Sequence, residues 1–465
     1  MKVLFVSGID GDTRRYRCFH HQEQLSREGI VSELRESSDF QLYLDVLECD
    51  LFILHRVPAS NLIYDLINLA QLQRKPVIFE TDDLVFDPAL ARDIPYLDNL
   101  SLEEAQDFQR KLFGQSQTFE LCDTVLTTTE ALANEARHRG KEAFVHRNAP
   151  SLEMIHISEQ AYLRYKKKNE YKQNITIGYF SGTGSHDRDF RVVTPALIAI
   201  LETYPGVGLH ISGHLNLDSL FEPFAHRIRR TPYISWRELP YLIAKVDINL
   251  APLEMDNPFC QAKSEIKFVE AALVGTPTVA TPTDAYRYAI APGVNGLWAA
   301  STEEWIEALT LLIRQPERSR ALGEAARQRV YESYRPEQRG LELLALLKTL
   351  ADRIPPPEVS DSLVFEISRR MKGSLDQLSQ TIRQQEKQLS DLRLSLEQWG
   401  FALSQSEHHS RKEMNILREE LARKEGDLRE ELAQKEEDLR KAEQAYLRSL
   451  TGILERLEKV QGASV

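Results

Sequence analysis

The stretch QAKSEIKFVEAALVGTPTVATP, residues 261–282, sets a charged helical pattern directly against a Gly-Thr-Pro turn and a short β-prone run. On a helix that turns about 100° per residue, Lys263, Lys267 and Glu270 fall within one narrow sector, and the apolar residues form a broad face elsewhere. The strand pattern DINLAP precedes this helix, so its first turn should open at the carboxyl edge of a sheet, where α/β folds bind ligands. Backbone N–H groups and Lys263 would favour a phosphate there, and Glu270 would accept hydrogen bonds from sugar hydroxyls. An ordinary amphipathic helix with solvated or paired charges would show the same spacing.

Short β-branched runs alternate with amphipathic stretches on both sides of this segment. Before residue 150 the runs are KVLFVSG, DLFILHR, KPVIFETDD, CDTVLTTT and AFVHRNAP, and after residue 173 they are ITIGYFSG, GVGLHISG, VDINLAP and TPTVATP. Such alternation indicates parallel strands with crossover helices. The polar stretch LRYKKKNEYKQN separates the two sets. We therefore expect an α/β protein with two Rossmann-like domains.

The C-terminal part has the composition of a long helix. Leu375, Ile382, Leu389, Leu396 and Leu403 recur every seven residues, and an eleven-residue leucine spacing follows from residue 417. These repeats predict an α-helical coiled coil that makes the protein a homo-oligomer, although a single solvated helix is the alternative. The number and direction of its strands stay open.

Changes in composition set the predicted boundaries. They are an N-terminal domain at 1–150, a linker at 151–173, a second domain with closing helices at 174–354, a proline-rich linker with a short helix at 355–372, and the coiled coil at 373–461.

Bulk composition narrows the class of protein. The 465 residues carry a net charge of −12, which argues against a nucleic-acid partner because such proteins need a basic surface. The four cysteines are scattered without pairs at metal-ligand spacing, so the sequence suggests neither a disulfide framework nor a zinc site. The N-terminus lacks the length and cleavage site of a signal peptide, and no apolar run approaches the roughly 20 residues of a transmembrane helix. We expect a cytoplasmic protein, with peripheral contact at the inner membrane face left open.

The segment KSEIKFVEAALVGTPTVATPTDAYRYAIAPGVNGLWA resembles the donor site of retaining GT-B glycosyltransferases of family four. The likeness extends to RYRCFHHQEQLSREGI, HRNAP and IGYFSGTGSHDRDF, and covers roughly residues 1 to 350. It implies a GT-B arrangement of the two domains, with a nucleotide-sugar held by the second and a glycan or lipid-linked hydroxyl acceptor held by the first. The nucleotide-diphosphate sugar would be a co-substrate, and the resemblance implies no further cofactor and no metal.

Donor-site residues carry over from this resemblance position by position. Glu270 matches the glutamate that holds the donor ribose, and Gly275 with Pro277 matches the turn after it. A second glutamate is common eight residues earlier, where this chain has Ala262. The family's Arg and Lys for the diphosphate are also missing, so Lys263 and a loop near residue 182 would replace them. The candidates of that loop are Gly182, Thr183, Gly184, Ser185, His186 and Arg188, and Lys267 joins the set from the helix.

Acceptor-side candidates lie at the ends of first-domain strands. Catalytic candidates are His55, Asp82 and Asp83, since a carboxylate can orient a hydroxyl nucleophile. Adjacent aspartates are also common caps, and a buried, satisfied imidazole is an equal alternative for His55. Candidates for binding an acceptor phosphate are Arg14, Arg15, Arg17 and Arg56, of which the first three are equally well explained as surface charges.

The leading hypothesis is a hexosyl or glycosyltransferase, retaining and metal-independent, that acts in polysaccharide or glycan assembly. One alternative is a catalytically reduced GT-B module that works as a coiled-coil assembly protein, which the alanine at position 262 keeps open. A second alternative is a nucleotide-sugar epimerase on the same architecture.

Overall fold

The computed structural model describes residues 1–39, 41–89, 101–166, 174–182 and 187–353, together with scattered helical positions between 369 and 444. By their contacts the residues divide into two units. The first comprises Met1–Leu34, Asp50–Ala59 and Pro76–Arg353, and the second comprises Arg35–Cys49, Ser60–Lys75 and Ile354–Val465. The first unit contains most of both β-sheets and the loops at their carboxyl ends.

Six strands form the first sheet. They are β1 (Lys2–Ser7), β2 (Val31–Glu36), β3 (Leu51–His55), β4 (Val77–Thr81), β5 (Thr124–Thr127) and β6 (Glu142–Val145). Their order is β2-β1-β3-β4-β5-β6, and the strands from β1 across to β6 pair in parallel. The strands β3 and β4 are buried along their whole length, which explains their continuous apolar runs. The strand order reverses between β1 and β3, and the crevice beyond such a reversal is where α/β sheets bind ligands.

The second sheet repeats this architecture. Its strands are β7 (Ile175–Phe180), β8 (Val207–Ser212), β9 (Ile228–Thr231), β10 (Ile248–Ala251), β11 (Thr278–Ala280) and β12 (Leu297–Trp298). All five neighbouring pairs are parallel in the order β12-β11-β10-β7-β8-β9, which is the strand order of a Rossmann fold. The prediction of two parallel α/β halves is confirmed.

Sixteen α-helices occur among the described residues up to 353. Those before the second sheet are α1 (Asp12–Arg14), α2 (His20–Arg27), α3 (Leu42–Glu48), α4 (Asn61–Leu72), α5 (Leu102–Leu121), α6 (Glu130–His138) and α7 (Leu152–Tyr165). The later ones are α8 (Asp187–Arg191), α9 (Thr194–Thr203), α10 (Leu239–Ile243), α11 (Pro258–Ala262), α12 (Ile266–Leu273), α13 (Asp284–Ala289), α14 (Thr302–Arg314), α15 (Pro316–Ser333) and α16 (Pro336–Ala351). A π-helical segment, Arg15–Phe19, joins α1 to α2, and a 3-10 segment spans Ser219–Arg227. None of the helices in these ranges has the length and apolar character needed to cross a membrane.

The chain passes between the two sheets twice. Helix α7 begins within the predicted linker 151–173 and packs against α10 and α12 of the second sheet. Helix α16 closes the predicted second domain, 174–354, yet it packs against α2, and its buried leucines join the core of the first sheet. The predicted coiled coil and the proline-rich linker before it lie outside the described residues, apart from the scattered helical positions.

Candidate active site

A cavity of about 290 Å³ lies at the carboxyl ends of both sheets, within the first unit. Loops after β1 and β4 supply one wall, and loops after β7, β8, β9 and β10 supply the other. Side chains with polar groups at this cavity are Asp12, Thr13, Tyr16, Asp82, Asp83, Asn148, Ser181, Ser212, Tyr233, Trp236, Lys263, Ser264, Lys267, Glu270 and Tyr286. The cavity therefore brings cations and carboxylates from two different sheets to one place.

The helix predicted around Lys263 is interrupted at that residue. Helix α11 ends at Ala262, Lys263 is extended with ψ 142°, and α12 begins only at Ile266. Asn257 caps the short α11, and Pro258 at its first position favours a separate start. The prediction that Lys263 shares one helical face with Lys267 and Glu270 is wrong, although all three line the cavity.

Lys263 is held by a buried carboxylate. Its Nζ lies 3.1 Å from Oδ2 of Asp189, which is fully buried on α8. Burial disfavours the charged amine, but the negative charge of Asp189 outweighs it and raises the pKa of Lys263. Lys263 is therefore a fixed cation at the cavity wall.

Lys267 has a different environment. Its Nζ lies over the ring of Tyr179 at 4.3 Å from the centroid, a cation–π contact. Burial lowers the pKa of Lys267 to about 8, against the influence of the Asp189 carboxylate. This amine is charged at neutral pH and loses its charge in mildly alkaline solution.

Glu270, one turn further along α12, accepts a hydrogen bond that comes from the first sheet's side of the cavity. The Tyr16 hydroxyl donates to Glu270 Oε1 at 2.8 Å. Burial raises the pKa of Glu270, and the Arg15 guanidinium opposes that shift. The same Arg15 lies over the Trp236 ring at 4.8 Å and bonds Asp12.

A hydrogen-bonded chain runs along the carboxyl edge of the first sheet. His55 Nδ1 lies 3.0 Å from Ser7 Oγ, and His55 Nε2 lies 3.1 Å from Thr13 Oγ1. Thr13 donates to Asp82 Oδ1 at 3.2 Å, and Arg56 donates to the same oxygen at 3.3 Å. His55 is fully buried and reaches the cavity only through Thr13 and Asp82, which both line it.

Charge within this chain is set by its neighbours. Burial opposes a charged imidazole, but Cys18, Asp82 and Glu80 raise the pKa of His55 to about 9. Burial also opposes ionisation of Asp82, yet the His55 ring, whose Nε2 lies 4.0 Å from Asp82 Oδ1, and the Arg56 guanidinium hold the pKa of Asp82 well below the ordinary value. His55 and Asp82 thus form an ion pair at neutral pH.

Asp83 has the opposite character from its neighbour. Burial raises the pKa of Asp83 to about 6, with Arg56 working against the shift and Asp82 adding to it. Its carboxylate lines the cavity, and the positive charge of Lys263 on the other wall also acts to lower the pKa of Asp83. A carboxyl group that titrates near neutral pH is suited to accept or donate a proton.

The four arginines predicted for the acceptor have other partners. Arg17 is fully buried, and it bonds Glu80 at 2.7 Å, the His146 carbonyl and Asn148, so it holds the first domain together and does not reach the cavity. Arg14 pairs with Asp10, Arg15 with Asp12, and Arg56 with Asp82. Arg15 and Arg56 act on the site through the carboxylates that they contact.

The remaining donor candidates divide into three groups. Gly182 lines the cavity, whereas Thr183, Gly184, Ser185 and His186 lie outside the described residues. Arg188 pairs with Glu254 at 3.2 Å and is absent from the cavity wall. Gly275 follows the last turn of α12 and has a φ of 67°. It packs near Tyr162 and lines a different cavity. The reason is that the C-terminal end of α12 lies at the amino edge of the sheet.

Sequence reasoning missed Tyr16, Thr13, Tyr233 and Trp236. Tyr16 and Thr13 fall in the first βα connection, where the arginines are the more conspicuous signal in the sequence. Tyr233 and Trp236 follow β9, and an aromatic pair at the carboxyl end of a parallel strand is a signal that would have found them.

Among the described residues, one group has the composition of a metal site. Ligand atoms of Asp189, Glu254 and Cys260 lie within 4.8 Å of one another. Lys263 already neutralises Asp189, and Arg188 neutralises Glu254. An ion there would have to compete with two fixed cations, so these residues fit a salt-bridge network better than a metal.

Comparison with known proteins supports the architecture. Residues 192–345 match the family model described as "Glycosyl transferase-like". A search of curated proteins finds no match. The structure is similar to Anabaena HepE in complex with UDP, with a TM-score of 0.51 and 13% identity over 75% of this chain and 100% of that one. HepE with UDP-glucose gives a TM-score of 0.51 at 14% identity, over the same shares of both chains.

Two further solved structures have the same architecture. Sucrose-phosphate synthase from Thermosynechococcus elongatus gives a TM-score of 0.51 at 14% identity, over 75% of this chain and 98% of that one. A glycosyltransferase from Rickettsia africae gives a TM-score of 0.50 at 12% identity, over 76% and 99%. Identities this low are evidence of fold. Together with the family model, they show that this chain has a GT-B-like fold whose second half carries a glycosyl transferase-like domain.

Proposed function

We propose that this protein is a glycosyltransferase that moves a sugar from a nucleoside-diphosphate sugar to a hydroxyl acceptor during assembly of a glycan or polysaccharide. One observation carries the proposal: a single cavity places Lys263, Lys267 and Glu270 of the second sheet opposite Asp82 and Asp83 of the first. A bisubstrate transfer needs this division, because the donor and the acceptor approach from different sides. The glycosyl transferase-like domain at residues 192–345 supports it.

The second-sheet wall would hold the donor. Breaking the glycosidic bond leaves negative charge on the diphosphate, and Lys263 and Lys267 supply cations at that wall. Glu270 would accept hydrogen bonds from the ribose. The UDP complexes of HepE make UDP the first nucleotide to test.

The first-sheet wall would hold the acceptor. The bond from sugar C1 to the diphosphate oxygen breaks, and a bond from C1 to the acceptor oxygen forms. Asp83, whose pKa is raised to about 6, would take the hydroxyl proton. The His55–Thr13–Asp82 chain would orient the acceptor hydroxyl through the Asp82 carboxylate.

Finer features of the reaction extend this proposal. Retention of configuration is inferred from the resemblance to family four alone, and it requires the acceptor oxygen to attack C1 on the same face from which the diphosphate leaves. Independence from metal ions is supported by the two lysines, which place positive charge where a divalent ion would otherwise act. Homo-oligomerisation through the C-terminal repeats and peripheral membrane contact also belong to the proposal.

The test is to incubate the protein with a panel of nucleotide-sugars and to measure release of nucleoside diphosphate. Glu270→Ala should reduce the turnover by at least about tenfold, because a charged hydrogen-bond acceptor at the donor is lost. Glu324→Ala is the matched control, since Glu324 accepts a hydrogen bond from Tyr162 outside this cavity.

The same assay distinguishes the two alternative functions. Nucleotide binding without turnover would favour the assembly-protein alternative. Release of free sugar regardless of acceptor would favour the epimerase.

A further inference from the structure

Tyr16 belongs to the first domain in sequence but packs into the second. It lies in the π-helical segment Arg15–Phe19, and such segments are frequent at functional sites. Tyr16 is only 5% exposed, and it joins the apolar cluster that contains Phe268, Val269 and Ala272 of α12. The first βα loop therefore delivers a side chain to the helix that carries Glu270.

The contact engages one side of the Glu270 carboxylate. The Tyr16 hydroxyl donates to Oε1 at 2.8 Å and has the Met154 sulfur as a second neighbour at 3.4 Å. Among the described residues, no hydrogen bond to Glu270 Oε2 occurs, and Glu270 lines the cavity. One carboxylate oxygen is thus anchored and the other is offered to a ligand.

We propose that Tyr16 is a positioning residue that orients Glu270 so that a single oxygen, Oε2, recognises one of the two ribose hydroxyls of the donor. This inference rests on the proposed role of Glu270 at the ribose. The first domain then takes part in recognition of the ribose through a hydrogen bond to the second domain.

Two features keep Tyr16 in place when a ligand enters. Moving its ring would expose the apolar cluster around it to water, which is unfavourable. The neighbouring Arg15 is also fixed, because it lies over Trp236 at 4.8 Å and bonds Asp12 at 3.0 Å. The Tyr16 side chain therefore remains in the cavity wall when the donor binds, and the donor does not displace it.

The experiment measures binding of UDP, GDP and ADP by calorimetry, followed by the 2′-deoxy and 3′-deoxy forms of whichever binds. In the native protein, one deoxy form should bind about tenfold or more weakly and the other nearly as well as the parent. Tyr16→Phe keeps the ring in its cluster and frees Oε1. Its parent nucleotide should bind several-fold more weakly, and the difference between the two deoxy forms should shrink.

Tyr162→Phe is the matched control, since it removes a phenol that donates to Glu324 at 2.9 Å outside the cavity. This control variant should bind the parent nucleotide, its 2′-deoxy form and its 3′-deoxy form with native affinity. Equal loss with both deoxy forms in the native protein would overturn the inference, as would a Tyr16→Phe protein with native selectivity. If Glu270→Ala leaves nucleotide affinity unchanged, or if none of the three nucleotides binds, the proposed function itself fails. The comparison within the native protein stands even if the variant folds poorly.

Discussion

At the scale of single residues, the two lysines at the cavity differ in how their charge is maintained. Lys263 has the buried Asp189 carboxylate at 3.1 Å, and its pKa is raised. Lys267 contacts the Tyr179 ring, which attracts a cation only weakly, and burial lowers its pKa to about 8. Lys267 is therefore the cation at this wall whose charge changes near neutral pH.

We expect the affinity for UDP to fall as the pH rises through about 8. Lys267 is protonated below this pH and attracts the diphosphate, and it becomes neutral above it. Loss of one charge-assisted contact should weaken binding by about tenfold between pH 7 and pH 9. Calorimetry at both pH values in the native protein and in Lys267→Arg checks this. The arginine stays charged, so an identical pH dependence in both proteins would contradict the assignment.

The sequence allowed part of this site to be predicted. Lys267 and Glu270 are three residues apart on one helix, and their spacing alone places them on one face. The same spacing predicts Lys263 on that face as well, because the break before α12 has no strong local signal in the sequence. The contact of Tyr16 joins residues 254 positions apart, and only the tertiary fold determines it.

At the scale of elements, α16 connects the end of the second domain to the core of the first. Its Leu343, Leu347 and Leu350 pack with Val3 and Phe5 of β1. The amphipathic pattern predicted a helix here, but such a pattern identifies an apolar face and leaves its partner undetermined. The assignment of this helix to the second domain followed from its position in the chain.

Leu347→Ala should lower the free energy of unfolding by about 2–5 kcal/mol, because it leaves a cavity beneath a fully buried side chain. Leu341→Ala on the same helix should change it by no more than about 0.5 kcal/mol, since Leu341 is 58% exposed. Urea denaturation followed by circular dichroism measures both. Equal effects of the two substitutions would show that α16 does not dock through this face.

At the scale of the whole molecule, buried histidines link folding to acidity. His21 and His146 lie with ring centroids 4.9 Å apart, and burial together with Arg17 holds their pKa values well below the ordinary range. Burial also lowers the pKa of His20 to about 4. The folded protein keeps these rings neutral, whereas the unfolded chain protonates them below about pH 6.5.

Stability should therefore fall as the pH drops below about 6.5, by about 1.4 kcal/mol per pH unit for each such histidine. His21→Phe removes one titrating ring, so its free energy of unfolding should depend less steeply on pH by that amount. Urea titrations at pH 7, 6 and 5 provide the slopes. The exposed His138→Phe serves as the control and should keep the native slope. A native slope in His21→Phe would be evidence against a neutral buried ring.

The double passage of the chain between the sheets has a mechanical consequence. A single connecting segment between two domains would permit rotation in every direction. Here two segments, one before α7 and one before α16, connect the two domains. Two connections restrict the rotation of one domain relative to the other more than a single connection would.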